Sequence, residues 1–283
     1  MNPEPTLQVL SLGAGVQSST MALMAAHGEL PRPNFGIFAD TGDEPTAVYE
    51  WLGNLEGIIS NPLKVKYPYK IYRVMEKQGL SKSLLKLKTS KAGNKYSDGC
   101  LPAFVKDKSG KSGGMLSRQC TYQFKIAPIR RKTRELLDRY PRAGDVEMWI
   151  GISTDEAMRM KPSNVQYIAH RWPLIEKNMS RHDCLQWMEN HNYPKPSRSA
   201  CVFCPFHNDD DWKTMKEHDP VSFAQAVQFE RDYNKALIQA PKMRGAEVFL
   251  HNSRVPLDKV DFTDSGPNQL NLFGNECEGV CGV

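Results

Sequence analysis

Residues 9–30 read VLSLGAGVQSSTMALMAAHGEL. An apolar run meets a glycine turn, and strong helix formers follow it. Residues 7–12, LQVLSL, suit a strand buried on both faces. Ser18 or Ser19 is placed to N-cap the helix, and Gly28 to end it. Gly13 and Gly15 admit positive φ and let backbone amides close on a phosphate. Together Ser11, Gly13, Gly15, Gln17, Ser18 and Ser19 frame an anion cradle at a helix N-terminus, where the dipole favours negative charge. The turn has neither a Walker lysine nor a dinucleotide fingerprint.

Outward from this turn the pattern repeats. NFGIFAD (34–40) is a second buried strand ending at Asp40, and residues 45–59 form a helix opened by Pro45. YKIYRV (69–74) is a third strand. This β-α-β-α-β order predicts an α/β fold with a doubly wound parallel sheet. Farther on, residues 126–140 read as a helix, VEMWIGIS (146–153) as a central strand, and RHDCLQWMENHN (181–192) as an amphipathic helix. Residues 193–206 form a proline-punctuated loop. A helix over 219–239 is capped by Asp219 with Pro220 at its first position. Asp40-Thr41-Gly42 ends a strand on the side where open α/β sheets hold ligands, so the Asp40 carboxylate can take a ribose hydroxyl or Mg2+.

A chain of 283 residues, 40% hydrophobic and 24% charged, fits one large α/β domain with an appended subdomain or tail. No apolar run approaches the roughly 18 residues of a membrane span. The N-terminal residues lack a basic region followed by an apolar core, so a cytoplasmic protein with no membrane partner is expected. Charge is uneven: residues 61–135 hold 19 of the 37 Lys/Arg but only 4 of the 32 Asp/Glu. The glycine- and serine-punctuated insertion near 77–118 reads as mostly loop, and its field suits a polyanion such as nucleic acid.

Seven cysteines in a reducing compartment point to metal or redox chemistry rather than disulfides. Cys201-x-x-Cys204 has bidentate metal-ligand spacing. With further thiolates, a tail cysteine (Cys281 or Cys277) among them, it can hold an iron–sulfur cluster or zinc. A redox dithiol, or a tail cysteine attacking a substrate sulfur, is the competing reading. Cys184 and Cys100 read as buried thiols. Fixed positive charge for an anionic ligand is available at Lys125, Arg130 and Arg131.

The ordered set SLGAGVQSS (11–19), FADTGDEPTAVYEWL (38–52), QCTYQFKIAPIRR (119–131), WIGISTDEAMR (149–159), PLIEKNMSRHDCLQWMENHNYP (173–194) and ACVFCPF (200–206) resembles the PP-loop superfamily, particularly its phosphoadenylylsulfate reductase branch. The resemblance implies an adenine-nucleotide α-hydrolase-like fold over 1–200, carrying the basic insertion, and a cysteine-bearing extension over 201–283. It implies ATP or a sulfonucleotide on the first turn, and it places Cys120 near Cys201 and Cys204. It so implies four thiolates, Cys120, Cys201, Cys204 and a tail cysteine (Cys281 or Cys277), that hold iron as a [4Fe–4S] cluster rather than zinc. Lys125 falls at a functional position of the family, and Cys277 resembles its tail nucleophile. Departures are Cys120-Thr121 where the family pairs cysteines, and Gln17 where ATP pyrophosphatases place aspartate. Three functions follow: ATP-dependent adenylation with iron–sulfur-assisted sulfur transfer to nucleic acid, fed by a thiol or sulfur donor protein; sulfonucleotide reduction; or non-catalytic, nucleotide- or redox-responsive nucleic-acid binding.

Overall fold

The computed structural model describes residues 6–97, 100–107, 109–140, 144–240 and 245–262. Cys277 and Cys281 lie outside the described residues. Strand β1 (Leu7–Leu12) leads into helix α1 (Val16–His27), followed by β2 (Phe35–Asp40), α2 (Thr46–Ile59) and β3 (Lys70–Met75). Two further strands, β8 (Val146–Trp149) and β9 (Ile168–Arg171), complete a five-stranded sheet of order β3-β2-β1-β8-β9, parallel throughout. The fold is a doubly wound α/β sheet.

Alternation along the strands divides the side chains between two cores. Leu10, Leu12, Phe38 and Trp149 pack with α1, α2 and α6 (Arg181–Asn190). Leu7, Val9, Ile37, Ala39 and Met148 face α4 (Ala127–Arg139) through Ile129 and Leu136. With helices covering both faces, the strands are apolar on both sides, which is why β1 reads as a continuous hydrophobic run. α1 is equally enclosed, buried from Val16 to Ala26. Its end is set by Gly28 at φ 91°, whose N–H reaches the Ala25 and Met24 carbonyls.

The basic insertion carries short regular elements within the expected loop. It contains α3 (Leu80–Leu85), a two-stranded ribbon of β4 (Leu87–Thr89) and β5 (Lys95–Ser97), and strands β6 (Phe104–Lys106) and β7 (Ser112–Met115). β6 pairs on one side with β7 and on the other with β10 (Glu247–Phe249), far along the chain. A third core joins Leu84, Leu101 and Phe124 to Phe203, Trp212 and Phe229. The last two lie on α7 (Asp209–His218) and α8 (Pro220–Leu237). The insertion and the C-terminal part of the chain thus bury one another, beside the sheet.

Other boundaries moved for local reasons. α1 begins at Val16 with Gly15 as its N-cap, so Ser18 and Ser19 lie inside the helix. β8 ends at Trp149, before Gly151. α7 has no apolar periodicity to announce it. It is opened by a capping box in which Asn208 accepts from the Asp211 N–H and Asp211 accepts from the Asn208 N–H.

Candidate functional site

β1 is flanked by β2 on one side and β8 on the other, and chain order reverses at it. A doubly wound sheet opens a crevice at such a switch point, beyond the carboxyl ends of the strands. The β1–α1 turn lies there. Its left-handed residue is Ala14 at φ 59°, between the two glycines, while Gly15 is extended at φ −86°, ψ −178°. Ser18 Oγ accepts from the Gly13 N–H at 3.1 Å, which closes the turn over the start of α1. Behind it Gly151 packs so tightly that a Cβ there would meet Ser18 N and Cα at 3.0 Å. Ser19 is committed inward: its Oγ accepts from Trp51 Nε1 at 2.9 Å and it is fully buried. Ser11 is also buried.

A small cleft opens on this turn, lined by Gly15, Gln17, Ser18, Arg181, Arg198 and Ser199. The first-turn amides of any helix lack intrahelical acceptors, and with Arg181 beside them they suit an anion, while Arg198 is paired with Asp211 and donates to Phe206 O. Arg181 Nη1 donates to Gln17 Oε1 at 3.1 Å. Gln17 Nε2 lies 3.4 Å from both Ser153 Oγ and Glu156 Oε2. Glu156 is itself buried and paired with Arg159 at 2.6 Å. An amide at position 17 can face Glu156 on one side and Arg181 on the other. An acidic residue would set two carboxylates together.

The β2–α2 loop forms a second pocket. Asp40 Oδ1 accepts from the Gly42 N–H at 2.8 Å and from the Tyr49 hydroxyl at 2.7 Å. Burial foremost, then the Asp40 contact, pushes the Tyr49 hydroxyl far up, so it stays a donor. Glu44 is buried, and its Oε1 takes Lys125 Nζ at 3.2 Å and the Thr41 hydroxyl at 3.2 Å, while its Oε2 has no hydrogen-bond partner. Lys125 arrives on a π-helical turn, Tyr122–Ile126, a local distortion frequent at functional sites. Cys201 Sγ lies 3.3 Å from Thr41 Oγ1 and 3.9 Å from Glu44 Oε1. Burial and the Glu44 carboxylate raise the Cys201 thiol well above its ordinary range, against an opposing pull from Lys125.

One loop joins the two pockets. Ser199 Cβ stands 3.9 Å from where a Cβ on Gly15 would be. Three residues later the Val202 N–H donates to Asp43 O at 2.8 Å, which fixes Cys201 against the β2–α2 loop.

Of the predicted cysteines, Cys120, Cys201 and Cys204 lie among the described residues. The Cys204 N–H closes a turn on Cys201 O at 2.9 Å, and Cys120 is near enough to Cys201 to raise its thiol further. Among the described residues, no three His, Cys, Asp or Glu side chains converge as a metal site. Cys184 is buried on α6 as a thiol pushed up to about 12 by burial, and Cys100 is half-buried. Arg130 is spent on Asn164 and Arg131 on Glu76 at the surface. Sequence reasoning missed Glu44, Gly151, Arg181, Arg198 and Ser199. The available signal was weak: a glycine directly after a buried strand, and arginines flanking a helix start and a proline loop.

No family model matches the chain, and no curated protein matches it. Among solved structures, the phosphoadenylyl-sulfate (PAPS) reductase from Candida auris, in a phosphate complex, is similar at 14% identity, with 68% of this chain and 76% of that one covered and a TM-score of 0.40. The U34-tRNA thiolase NcsA from Methanococcus maripaludis, with its [4Fe-4S] cluster, is similar at 13% identity, with 81% and 72% covered and a TM-score of 0.36. No helix among the described residues is long and apolar enough to cross a membrane.

Proposed function

We propose that the chain is an adenine-nucleotide-dependent sulfur transferase acting on a nucleic-acid acceptor. The observation that carries this reading is the loop 197–204, which places Ser199 beside Gly15 in the anion cleft and Cys201 beside Thr41 in the thiol pocket. Sulfur transfer to an activated acceptor needs both an anion site and sulfur chemistry within reach of one substrate. The sequence resemblance set out above supports the same reading.

In this proposal the amides of residues 14–18 and Arg181 hold the nucleotide phosphates, and Asp40 takes Mg2+ or a ribose hydroxyl. An acceptor oxygen attacks the α-phosphorus of ATP and pyrophosphate leaves. A sulfur donor protein charges Cys277 as a persulfide whose terminal sulfur displaces AMP from the acceptor carbon. A thiol then reduces the resulting Cys277–S–S–carbon bond, releasing the thiolated acceptor and leaving a disulfide with Cys277. Lys125 keeps positive charge at the rim of the thiol pocket. Cys120, Cys201 and Cys204 do not by themselves form a metal site among the described residues. Cys281, the fourth thiolate of the expected set, lies outside the described residues.

The test is pyrophosphate release from Mg2+–ATP, which should rise when a nucleic-acid acceptor is added. Sulfite release from a sulfonucleotide with a dithiol reductant, and no pyrophosphate from ATP, would replace this reading with sulfonucleotide reduction. Nucleic-acid retention with neither product would leave a binding protein.

A further inference from the structure

The ribbon β4–β5 pairs with none of the other described strands. Strands of three residues are too short to be stable alone, so this hairpin is held by its root. There Ser97 Oγ donates to Leu84 O at 2.8 Å, on α3. Residues 77–97 contain six lysines and no acidic residue. On the ribbon, Lys88 stands directly across from Tyr96, so a cation and an aromatic ring share one face. Tyr96 is 44% exposed. A charge run that served only solubility would not need a large ring held out in solvent at its centre.

The ribbon is also physically continuous with the candidate site. α3 begins where the Leu80 N–H donates to Thr41 O at 2.7 Å and the Ser81 N–H to Asp43 Oδ2 at 2.8 Å. At the other root, the Gln119 N–H donates to Cys100 O at 3.2 Å, drawing in the segment that carries Tyr122. Tyr122 is 57% exposed and lies three residues before Lys125. The exposed lysines and tyrosine of the ribbon, with Tyr122 ahead of Lys125, make up one candidate strip.

We propose that this strip binds an unpaired nucleic-acid strand, its phosphates along the ribbon lysines and its bases stacked on Tyr96 and Tyr122. The inference rests on the reading that the site acts on a nucleic acid, and it names the surface and the strandedness of that partner. Lysines alone would accept any polyanion. The exposed rings select a ligand with accessible π-faces, which a duplex hides in its stack and an acidic protein lacks.

The experiment uses the full chain and fluorescein-labelled oligonucleotides read by anisotropy over a salt series. Single-stranded RNA, single-stranded DNA and their duplexes are compared, and the tighter strand identifies the sugar. Tyr96→Ala is expected to weaken strand binding roughly tenfold with the salt slope unchanged. Lys88→Gln/Lys91→Gln/Lys95→Gln is expected to lower the slope of log K against log salt by about two. The altered side chains lie on the surface, so the thermal midpoint of each variant should match the parent and exclude misfolding.

Equal binding of duplex and strand, indifferent to Tyr96→Ala, would overturn the proposal. So would a polyglutamate chain that binds as tightly as the strand, which would assign the surface to an acidic protein. Titration with a fluorescent ATP analogue runs alongside. Nucleotide binding without strand binding sinks the ribbon assignment alone. Strand binding without nucleotide binding sinks the functional reading instead.

Discussion

The anion cleft and the thiol pocket are neighbours built by opposite means. The cleft is made of backbone: a left-handed Ala14, an N-capping Gly15, the amides of α1, and a glycine pressed against Ser18. The thiol pocket is made of side-chain charge, with Lys125, Glu44 and Cys201 enclosed between the sheet and the third core. A backbone site fails when a Cβ is added and tolerates changes of charge nearby. A side-chain site does the reverse.

The largest effect on ligand binding is expected at Gly151. A valine there drives its Cβ into Ser18 N and Cα, backbone atoms that cannot rotate away. α1 must shift, and the amides aimed at the ligand shift with it. Nucleotide affinity is expected to fall by about a hundredfold or more, because well-placed charge-assisted bonds each contribute roughly 1.5–3 kcal/mol. Isothermal titration checks this, and affinity within threefold of the parent would show that the cleft does not depend on that contact.

Lys125→Ala is the matching experiment in the thiol pocket. It strips the cation from a carboxylate that is already short of one partner, and breaking such a buried pair costs about 3–5 kcal/mol. Chemical denaturation should show the loss at neutral pH, and Glu44→Gln in the same chain should recover most of it. If the double variant is no more stable than the single, the pair is not the element that holds this pocket.

These two positions also show what the sequence could convey. The strands β1 and β2 were legible through burial on two faces, β3 through alternation along an edge strand, and the helix α8 through a capped apolar stripe. β9 was not, since IAHR is four residues long with mixed polarity and is completed by its neighbour β8. The first turn was legible as glycine and serine, yet the left-handed residue proved to be Ala14 and the N-cap Gly15, because the turn is closed from within by Ser18. Thr41, Glu44, Lys125 and Cys201 meet only through tertiary packing, with as many as 160 residues between partners. No local periodicity records such a meeting. The basic insertion read as loop because its short strands find partners, such as β10, only after the chain has run far beyond them.

A smaller effect returns to the cleft. Gln17→Glu places a second carboxylate on Glu156, with Arg181 and Arg159 close by to offset part of the repulsion. The expected loss of stability is about 1 kcal/mol at neutral pH, most of it regained by adding Glu156→Gln. A loss of the same size in the Glu156→Gln background would show that the residues do not interact, and that the amide at position 17 answers to the ligand instead.

The smallest effect is a pH dependence at the junction of the two pockets. Asp43 holds the Ser81 N–H through Oδ2, and burial is the largest cause of its raised pKa, ahead of the opposing Ser81 hydrogen bonds and the Glu44 and Asp40 charges. For an acid whose folded pKa lies above its unfolded value, the unfolded chain loses its proton first. Stability therefore declines as pH rises from about 4 through the folded pKa, and the penalty stays in full above it. Asp43→Asn keeps an acceptor for Ser81 but carries no charge. The variant should match the parent near pH 3.5 and exceed it at pH 7 by a fraction of a kcal/mol, since Asp43 remains partly open to solvent. Parallel denaturation curves at the two pH values would mean that the junction tolerates the charge. The contrast between a backbone-built cleft and a charge-built pocket would then have to be drawn at Glu44 rather than at the loop that joins them.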